Sequence, residues 1–215
     1  KATHVLGVGG GMAIDAAKVI AAETQADLIL VPTIVSSGAI FQPHFPGRRN
    51  GRCIVLFDLI APQQVLFDTD IIHAAPPHLN ASGMAECVCW LGVVASWKWW
   101  CEQNLPGSPW DQNVANEVFD WVESRVQQYT ANLDANGRPG PMAIRASAEV
   151  NRERFELKVW KLKTGHALDH LFDNTFVWIH KRSLLHGEAV ALGALITCLL
   201  YGSDFNRCKA LLDAC

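Results

Sequence analysis

The first 33 residues alternate strand-like, glycine-rich and helix-like segments in an order that few folds accommodate. An apolar run at residues 4–8 leads into three consecutive glycines, and residues 12–23 then place alanine and isoleucine at helical spacing. A second apolar run, residues 28–31, ends at Pro32. Because a helix joins the two runs, we expect two parallel strands in a βαβ unit.

The pattern changes at Pro76 and Pro77. Before it, short runs at residues 53–57 and 64–67 favour strands, with a turn around Asn50 and Gly51 before the first. After it, apolar residues recur three and four apart. The predicted helices are 79–103, 110–133, 144–163, 165–172 and 184–201, with a turn-rich linker at 134–141. We therefore predict an α/β domain over residues 1–76 and an all-α domain over residues 77–215.

Composition limits the partners and the location. The chain has 215 residues, of which 50% are apolar, so it can bury a sizeable core. Its net charge of −3 and its scattered basic residues argue against binding to nucleic acid or to an anionic membrane surface. The most apolar window, residues 189–201, is shorter than the roughly 20 residues that span a bilayer. We expect a cytoplasmic protein with a small-molecule substrate, and a homo-oligomer is compatible with the sequence.

The cysteines and the two ends carry further expectations. The seven cysteines fit neither zinc-binding nor disulfide-framework spacing, which favours reduced and mostly buried thiols.

The chain starts at Lys1 and stops inside a helix-like pattern at residues 208–215. We interpret it as a piece of a longer protein.

The glycine turn is the first candidate site. Backbone N–H groups of Gly9, Gly10 and Gly11, together with the start of the next helix, form a natural seat for a pyrophosphate. The segment does not complete G-x-G-x-x-G, because Met12 stands at the third glycine. A simple tight turn therefore stays open as the alternative.

Three histidines form the second candidate. His166 and His170 are four apart and share a helix face, and His186 begins the next element. Hydrogen-bonded core histidines are the alternative to a metal site. Glu86 is the best additional carboxylate, since an unpaired charge in its apolar helix would be costly, unless that helix face is turned to water.

Other polar and aromatic groups favour structural roles. Trp90, Trp97, Trp99 and Trp100 are interleaved with a single basic residue, Lys98, which favours packing between helices over stacking on bases or sugars. Asp15 and Lys18 lie one helical turn apart, which favours a surface ion pair over a phosphate-binding helix start.

Several motifs occur in the order known from one enzyme superfamily. They are GGGMAIDAAK at 9–18, PTIVSS at 32–37, VLFDTDIIHAAP at 65–76, ASGMAE at 81–86, HALDH at 166–170 and HGEAV at 186–190. Together they resemble the glycerol dehydrogenases, glycerol-1-phosphate dehydrogenases, iron-containing alcohol dehydrogenases and dehydroquinate synthases. Residues 97–163 match only in helical character.

The resemblance implies a dehydroquinate synthase-like fold, in which a Rossmann-like nucleotide-binding segment with a parallel sheet precedes a metal-binding helical domain. It also implies NAD or NADP and one divalent metal, zinc or iron. The implied cofactor-binding residues are Gly9, Gly10, Gly11, Asp15, Thr33 and Ser36. The implied metal ligands are Glu86, His166 and His186, and His170 would act beside the substrate.

Four positions depart from individual branches of that superfamily. At the position of Glu86, the dehydrogenases carry aspartate and the synthases carry glutamate. At the position of Cys89, the synthases have lysine. Glycerol dehydrogenases have aspartate near the position of Gly38, and iron-containing alcohol dehydrogenases have histidine at the position of Trp90. The leading prediction is an NAD(P)- and metal-dependent oxidoreductase of a small polyol or polyol phosphate. A dehydroquinate synthase-like cyclase and an inactive relative that only binds metal are the alternatives.

Overall fold

The first part of the chain is built on a small parallel sheet. The structure is a computed structural model, and it describes residues 2–49, 52–56, 59–154, 156–162, 168–180 and 184–215. The elements are β1 (His4–Gly9), α1 (Gly11–Thr24), β2 (Asp27–Pro32), β3 (Phe45–Arg49), β4 (Arg52–Leu56), β5 (Gln64–Val65) and α2 (Thr69–Ala74). The strand order is β1-β2-β5, both pairs are parallel, and Gly9 lies opposite Pro32. The predicted βαβ unit is confirmed.

A second, antiparallel pair differs from the sequence expectation. β4 matches the predicted run at 53–57, but its partner β3 was not predicted. The sequence of β3, FPGRR, carries proline, glycine and no β-branched residue, so it gives almost no strand signal. The turn predicted at Asn50 and Gly51 lies outside the described residues.

The remainder is helical. Its helices are α3 (Pro77–Ala81), α4 (Ala85–Glu102), α5 (Gln112–Thr130), α6 (Pro141–Glu153), α7 (Asp169–His180), α8 (His186–Leu200) and α9 (Phe205–Ala214), with 3₁₀ turns at Ser82–Met84 and Lys158–Lys161. A further 3₁₀ turn, Gly38–Ile40, lies between β2 and β3. α4 is the central element, since most of its residues are buried and it packs against α5 and α8. Trp90 and Trp97 lie in this core, which confirms their predicted packing role.

Two predicted helices have different bounds. The helix predicted over 144–163 is α6, which ends at Glu153. It begins earlier than predicted, at Pro141, because proline suits the first helical position. The helix predicted over 165–172 is α7, whose described part begins at Asp169 and continues to His180. Within the described residues, the cysteines at 87, 89, 198 and 208 are buried and unbridged, as predicted, and those at 101 and 215 are partly buried.

The hydrophobic contacts form two clusters. One surrounds α1 and the parallel strands and includes Ile144 of α6; the other fills the space between α4, α5, α8 and α9. The domain division at residues 76 and 77 stays a prediction.

One apolar helical stretch is longer than the apolar window at residues 189–201. The continuous stretch Pro77–Glu102 is long and apolar enough to cross a membrane by length and composition, but 83% of its most apolar window is buried inside the structure. It is the core helix of the molecule.

Candidate metal and cofactor site

Glu86 lies in the first turn of α4 and is almost completely buried. Its side chain is 1% exposed, so the alternative of a water-facing position is wrong. Its Oε1 lies 2.8 Å from Nε2 of His186, and its Oε2 accepts a hydrogen bond from Nη1 of Arg154. Burial alone would raise the pKa of Glu86, but the Arg154 guanidinium and the His186 imidazole hold the pKa of this carboxyl well below its usual range. Glu86 is therefore an ionised acceptor.

His186 is the first residue of α8, as predicted. A close backbone approach brings it to Glu86, because a Cβ added to Gly187 would lie only 2.8 Å from Cα of Ser82. The other ring nitrogen of His186, Nδ1, is 3.1 Å from Oδ2 of Asp173. Burial acts to lower the pKa of His186, but the bonds to Asp173 and Glu86 prevail and raise the pKa to about 10. In the protonated ring both nitrogens donate.

His170 lies in the first turn of α7 on the other side of the carboxylate. Its Nε2 is 3.8 Å from Oε2 of Glu86, and its Nδ1 is 2.7 Å from Oδ1 of Asp169. The His170 and His186 rings lie 5.4 Å apart between centroids. Burial acts to lower the pKa of His170, but the Asp169 bond and the Glu86 charge raise it overall.

These three side chains fit a divalent ion. One ligand atom from each of Glu86, His170 and His186 lies within 4.8 Å of the others. Each imidazole turns Nε2 towards Glu86 and is bonded through Nδ1 to an aspartate, an arrangement that fixes the orientation of metal-binding histidines. One carboxylate and two imidazoles form a donor set suited to zinc or iron. His166, the remaining predicted ligand, lies outside the described residues.

The sequence reading missed three residues of this cluster: Arg154, Asp169 and Asp173. The two aspartates carried a usable signal, because each stands within three residues of His170 in a segment otherwise rich in apolar residues. Arg154 gave no local signal, since it comes to Glu86 from 68 positions away in the chain.

The glycine turn forms the second part of the site. Gly9 has a φ of +143°, a conformation that favours glycine, and Gly10 precedes the first residue of α1. A Cβ built on Gly11 meets no atom within 4 Å, and Met12 is 92% exposed. The start of α1 is thus open to a ligand, and a 14-residue helix presents its N–H groups there. These features fit a pyrophosphate.

Lys18 was wrongly predicted to form a surface pair. It is completely buried, and its Nζ donates to Oδ1 of Asp15 at 3.1 Å, to the Ala39 carbonyl at 2.5 Å and to the His44 carbonyl at 3.0 Å. Burial lowers the pKa of Lys18, and the Asp15 charge offsets part of that effect. Lys18 therefore ties α1 to the segment that follows Ser36, and Asp15 acts through this bond.

The segment after β2 connects the glycine turn with the helical part of the chain. The Thr33 N–H donates to the Gly9 carbonyl at 3.0 Å, and Thr33 and Ser36 are both partly buried. Val35 donates to Oδ1 of Asn80 at 3.2 Å, and its carbonyl accepts from Oγ of Ser147 at 3.3 Å. The chain from the glycine turn thus packs against α3, which precedes the helix of Glu86, and against α6, which ends beside Arg154.

Comparisons with known proteins agree with this arrangement. A family described as iron-containing alcohol dehydrogenase matches residues 1–76. Across nearly the whole chain, the sequence is 29% identical to a glycerol-1-phosphate dehydrogenase [NAD(P)+] from Thermoplasma acidophilum, covering 97% of this chain and 58% of that relative. The chain is similar in sequence to these dehydrogenases. It spans a little over half of that relative's length.

Solved structures show the same fold. A glycerol dehydrogenase from Schizosaccharomyces pombe matches with a TM-score of 0.71 at 24% identity, over 99% of this chain and 56% of that one. A 2-deoxy-scyllo-inosose synthase matches with a TM-score of 0.64 at 16% identity, over 97% and 56%. The parallel sheet followed by packed helices is therefore the dehydroquinate synthase-like arrangement that the motifs implied.

Proposed function

We propose that this chain carries the metal-binding and cofactor-binding groups of an NAD(P)-dependent dehydrogenase that acts on a small polyol or polyol phosphate. The main support is the buried Glu86 carboxylate with two imidazole Nε2 atoms directed at it. The names of the relatives supply the reaction class, since the curated relative is a glycerol-1-phosphate dehydrogenase.

The residues divide the chemistry between them. A divalent ion bound there would acidify a substrate hydroxyl, and NAD(P) would accept the hydride from the carbon that bears this hydroxyl. Glu86 and His186 would hold the ion, with a further histidine that is His170 by the geometry of the described residues or His166 by the resemblance. Asp173 and Asp169 orient the rings of His186 and His170. The glycine turn and α1 bind the pyrophosphate.

His170 also has the exposure that a proton relay needs. Its side chain is 49% exposed, whereas the Glu86 side chain is 1% exposed, so His170 connects the buried carboxylate with solvent. Its Nδ1 is bonded to Asp169, which keeps Nε2 directed into the site. Where His166 is the third ligand, we assign His170 to carry the substrate proton outward, in keeping with its predicted place beside the substrate.

The test is a pair of histidine variants assayed together. In His186→Ala, we expect loss of bound metal and of NAD(P)H formation from glycerol or glycerol-1-phosphate, with the circular dichroism spectrum unchanged. His78→Ala, which removes an exposed histidine of α3, serves as the matched control and retains both. Full metal content and turnover in His186→Ala would reject the proposal.

A second pair of variants distinguishes the two candidate third ligands. If His170 is the ligand in solution, His170→Ala loses metal and His166→Ala keeps it. The opposite result assigns His166 and leaves His170 with the proton-relay role.

The residue at position 89 argues against the cyclase alternative. Cys89 stands where the synthases have lysine, and here it is a buried thiol whose Sγ lies 3.5 Å from the Glu86 carbonyl, with its pKa raised by burial. It offers no charge to a substrate. Net accumulation of NAD(P)H with a polyol would exclude the cyclase, since that chemistry returns the hydride. Metal binding without any turnover would instead favour the inactive relative.

A further inference from the structure

Arg154 connects the end of α6 with the centre of the metal-binding cluster. Its backbone N–H donates to the Val150 carbonyl at 3.2 Å, and its Nη1 donates to Oε2 of Glu86. The Arg154 side chain is 14% exposed and that of Glu86 is 1% exposed. In such a shielded place, the guanidinium offsets part of the cost of burying the carboxylate charge.

Gly38 has no side chain, and the Arg154 guanidinium occupies the space where a Cβ would lie. A Cβ built on Gly38 would lie 2.8 Å from Cζ and 3.0 Å from Nε of Arg154, both closer than ordinary van der Waals contact. The turn Gly38–Ile40 is itself held by the bond from Lys18 to the Ala39 carbonyl. The position of Arg154 on Glu86 therefore depends on glycine at residue 38.

Arg154 occupies an oxygen that the cluster needs. Oε2 of Glu86, which accepts from Arg154, is also the oxygen that faces Nε2 of His170 at 3.8 Å. An ion shared between Glu86 and the imidazoles requires these lone pairs. It would also repel a guanidinium held at hydrogen-bonding distance from the same carboxylate, and this repulsion is strong where solvent is excluded.

We propose that Arg154 is an internal counter-cation of Glu86 that competes with the divalent ion and so sets the affinity of the site for metal. The inference rests on the metal site of the proposed function. Without an ion, Arg154 keeps Glu86 ionised and in place between the histidines. When an ion binds, the guanidinium leaves Oε2.

The test is a zinc titration by competition with a chromophoric chelator at fixed pH. Arg154→Gln removes the competing charge, and we expect it to bind zinc at least about five-fold more tightly than the unmodified protein, the lower end of typical coupling between sites. Arg145→Gln is the matched control, since Arg145 lies on the same helix, is 71% exposed and pairs with Glu149. Its zinc affinity should not change.

Gly38→Ala provides an independent variant that keeps the charge but displaces the guanidinium. It should also bind zinc more tightly. Both variants should lower the thermal midpoint of the metal-free protein more than that of the zinc-loaded protein, whereas a purely structural arginine would lower the two equally.

Two results would overturn the proposal in distinguishable ways. If Arg154→Gln binds zinc as tightly as the unmodified protein or more weakly, the competition is rejected while the metal site stands. If neither the unmodified protein nor any variant binds zinc, the metal site itself is rejected, and the competition with it.

Discussion

At the scale of single residues, Glu86 is both buried and ionised, because cationic side chains lie around its carboxylate. Its helix, α4, supplies none of these partners, which come from α8, α7 and the end of α6. The sequence predicts Glu86 and His186 as ligands, from an acid in an apolar helix, a histidine pattern and the resemblance. It did not identify Arg154, because a partner 68 positions away leaves no local pattern.

The aspartate behind His186 should control metal affinity. Asp173→Asn removes the charge that fixes the ring and raises its basicity, so we expect zinc affinity to fall about 10- to 100-fold with the fold retained. Asp120→Asn, an exposed position on α5, is the control. Equal zinc affinity in the two variants would show that Asp173 does not orient the ligand.

The pH dependence of stability should carry the signature of His186 in the metal-free protein. Its pKa is raised to about 10, so its contribution to the free energy of unfolding is fully present below the unfolded pKa, about 6.5, and is lost as pH rises through 10. Denaturant titrations with a chelator at pH 6 and pH 10 measure this loss. His186→Gln should show a smaller decrease than the unmodified protein; an identical decrease would contradict the assignment.

At the scale of elements, the strand, glycine turn and helix at the start of the chain were predictable from pattern alone. The turn requires a positive φ at Gly9, and α1 follows at helical spacing. The buried Lys18 was not predictable, because its three acceptors lie on two different segments whose approach is a tertiary property. The same holds for β3, which forms by pairing with β4 rather than by propensity.

The open start of α1 allows cofactor binding to be tested without disturbing the fold. Gly11→Ala adds a methyl group where no atom lies within 4 Å, so we expect unchanged stability and unchanged zinc affinity. The same methyl group occupies the space above the helix start, and we expect NAD(P)H binding, measured by fluorescence, to weaken at least about ten-fold, since the backbone must approach the pyrophosphate closely. Met12→Ala is the control at a 92% exposed neighbour. Unchanged NAD(P)H binding in Gly11→Ala would place the cofactor elsewhere.

At the scale of the whole molecule, the metal-binding cluster joins separate parts of the helical region to the segment that follows the glycine turn. The fold class was predictable because the motifs keep their order and the apolar period changes near Pro76. The approach of His170 to Glu86 was not predictable, since the resemblance gave the ligand role to His166 and this contact depends on the packing of α7 against α8.

Metal should stabilise the whole molecule through this connection. Zinc at 100 times its dissociation constant should add about 2.7 kcal/mol to the free energy of unfolding. For a chain of this size each kcal/mol shifts the thermal midpoint by about 2–4 °C, so the midpoint should rise by about 5–11 °C. Calorimetric scans with zinc and with a chelator test this, and His186→Ala should show no such rise. An equal rise in that variant would mean that zinc stabilises the protein at another place.

The most direct measurement of the metal site is an anomalous difference map from crystals grown with zinc. The structure predicts one peak bonded to Glu86, to Nε2 of His186 and to one further histidine, at about 2.0–2.2 Å from the ligand atoms, with the Arg154 guanidinium displaced from Oε2. A map without a peak at Glu86, with Arg154 still bonded to the carboxylate, would contradict the account.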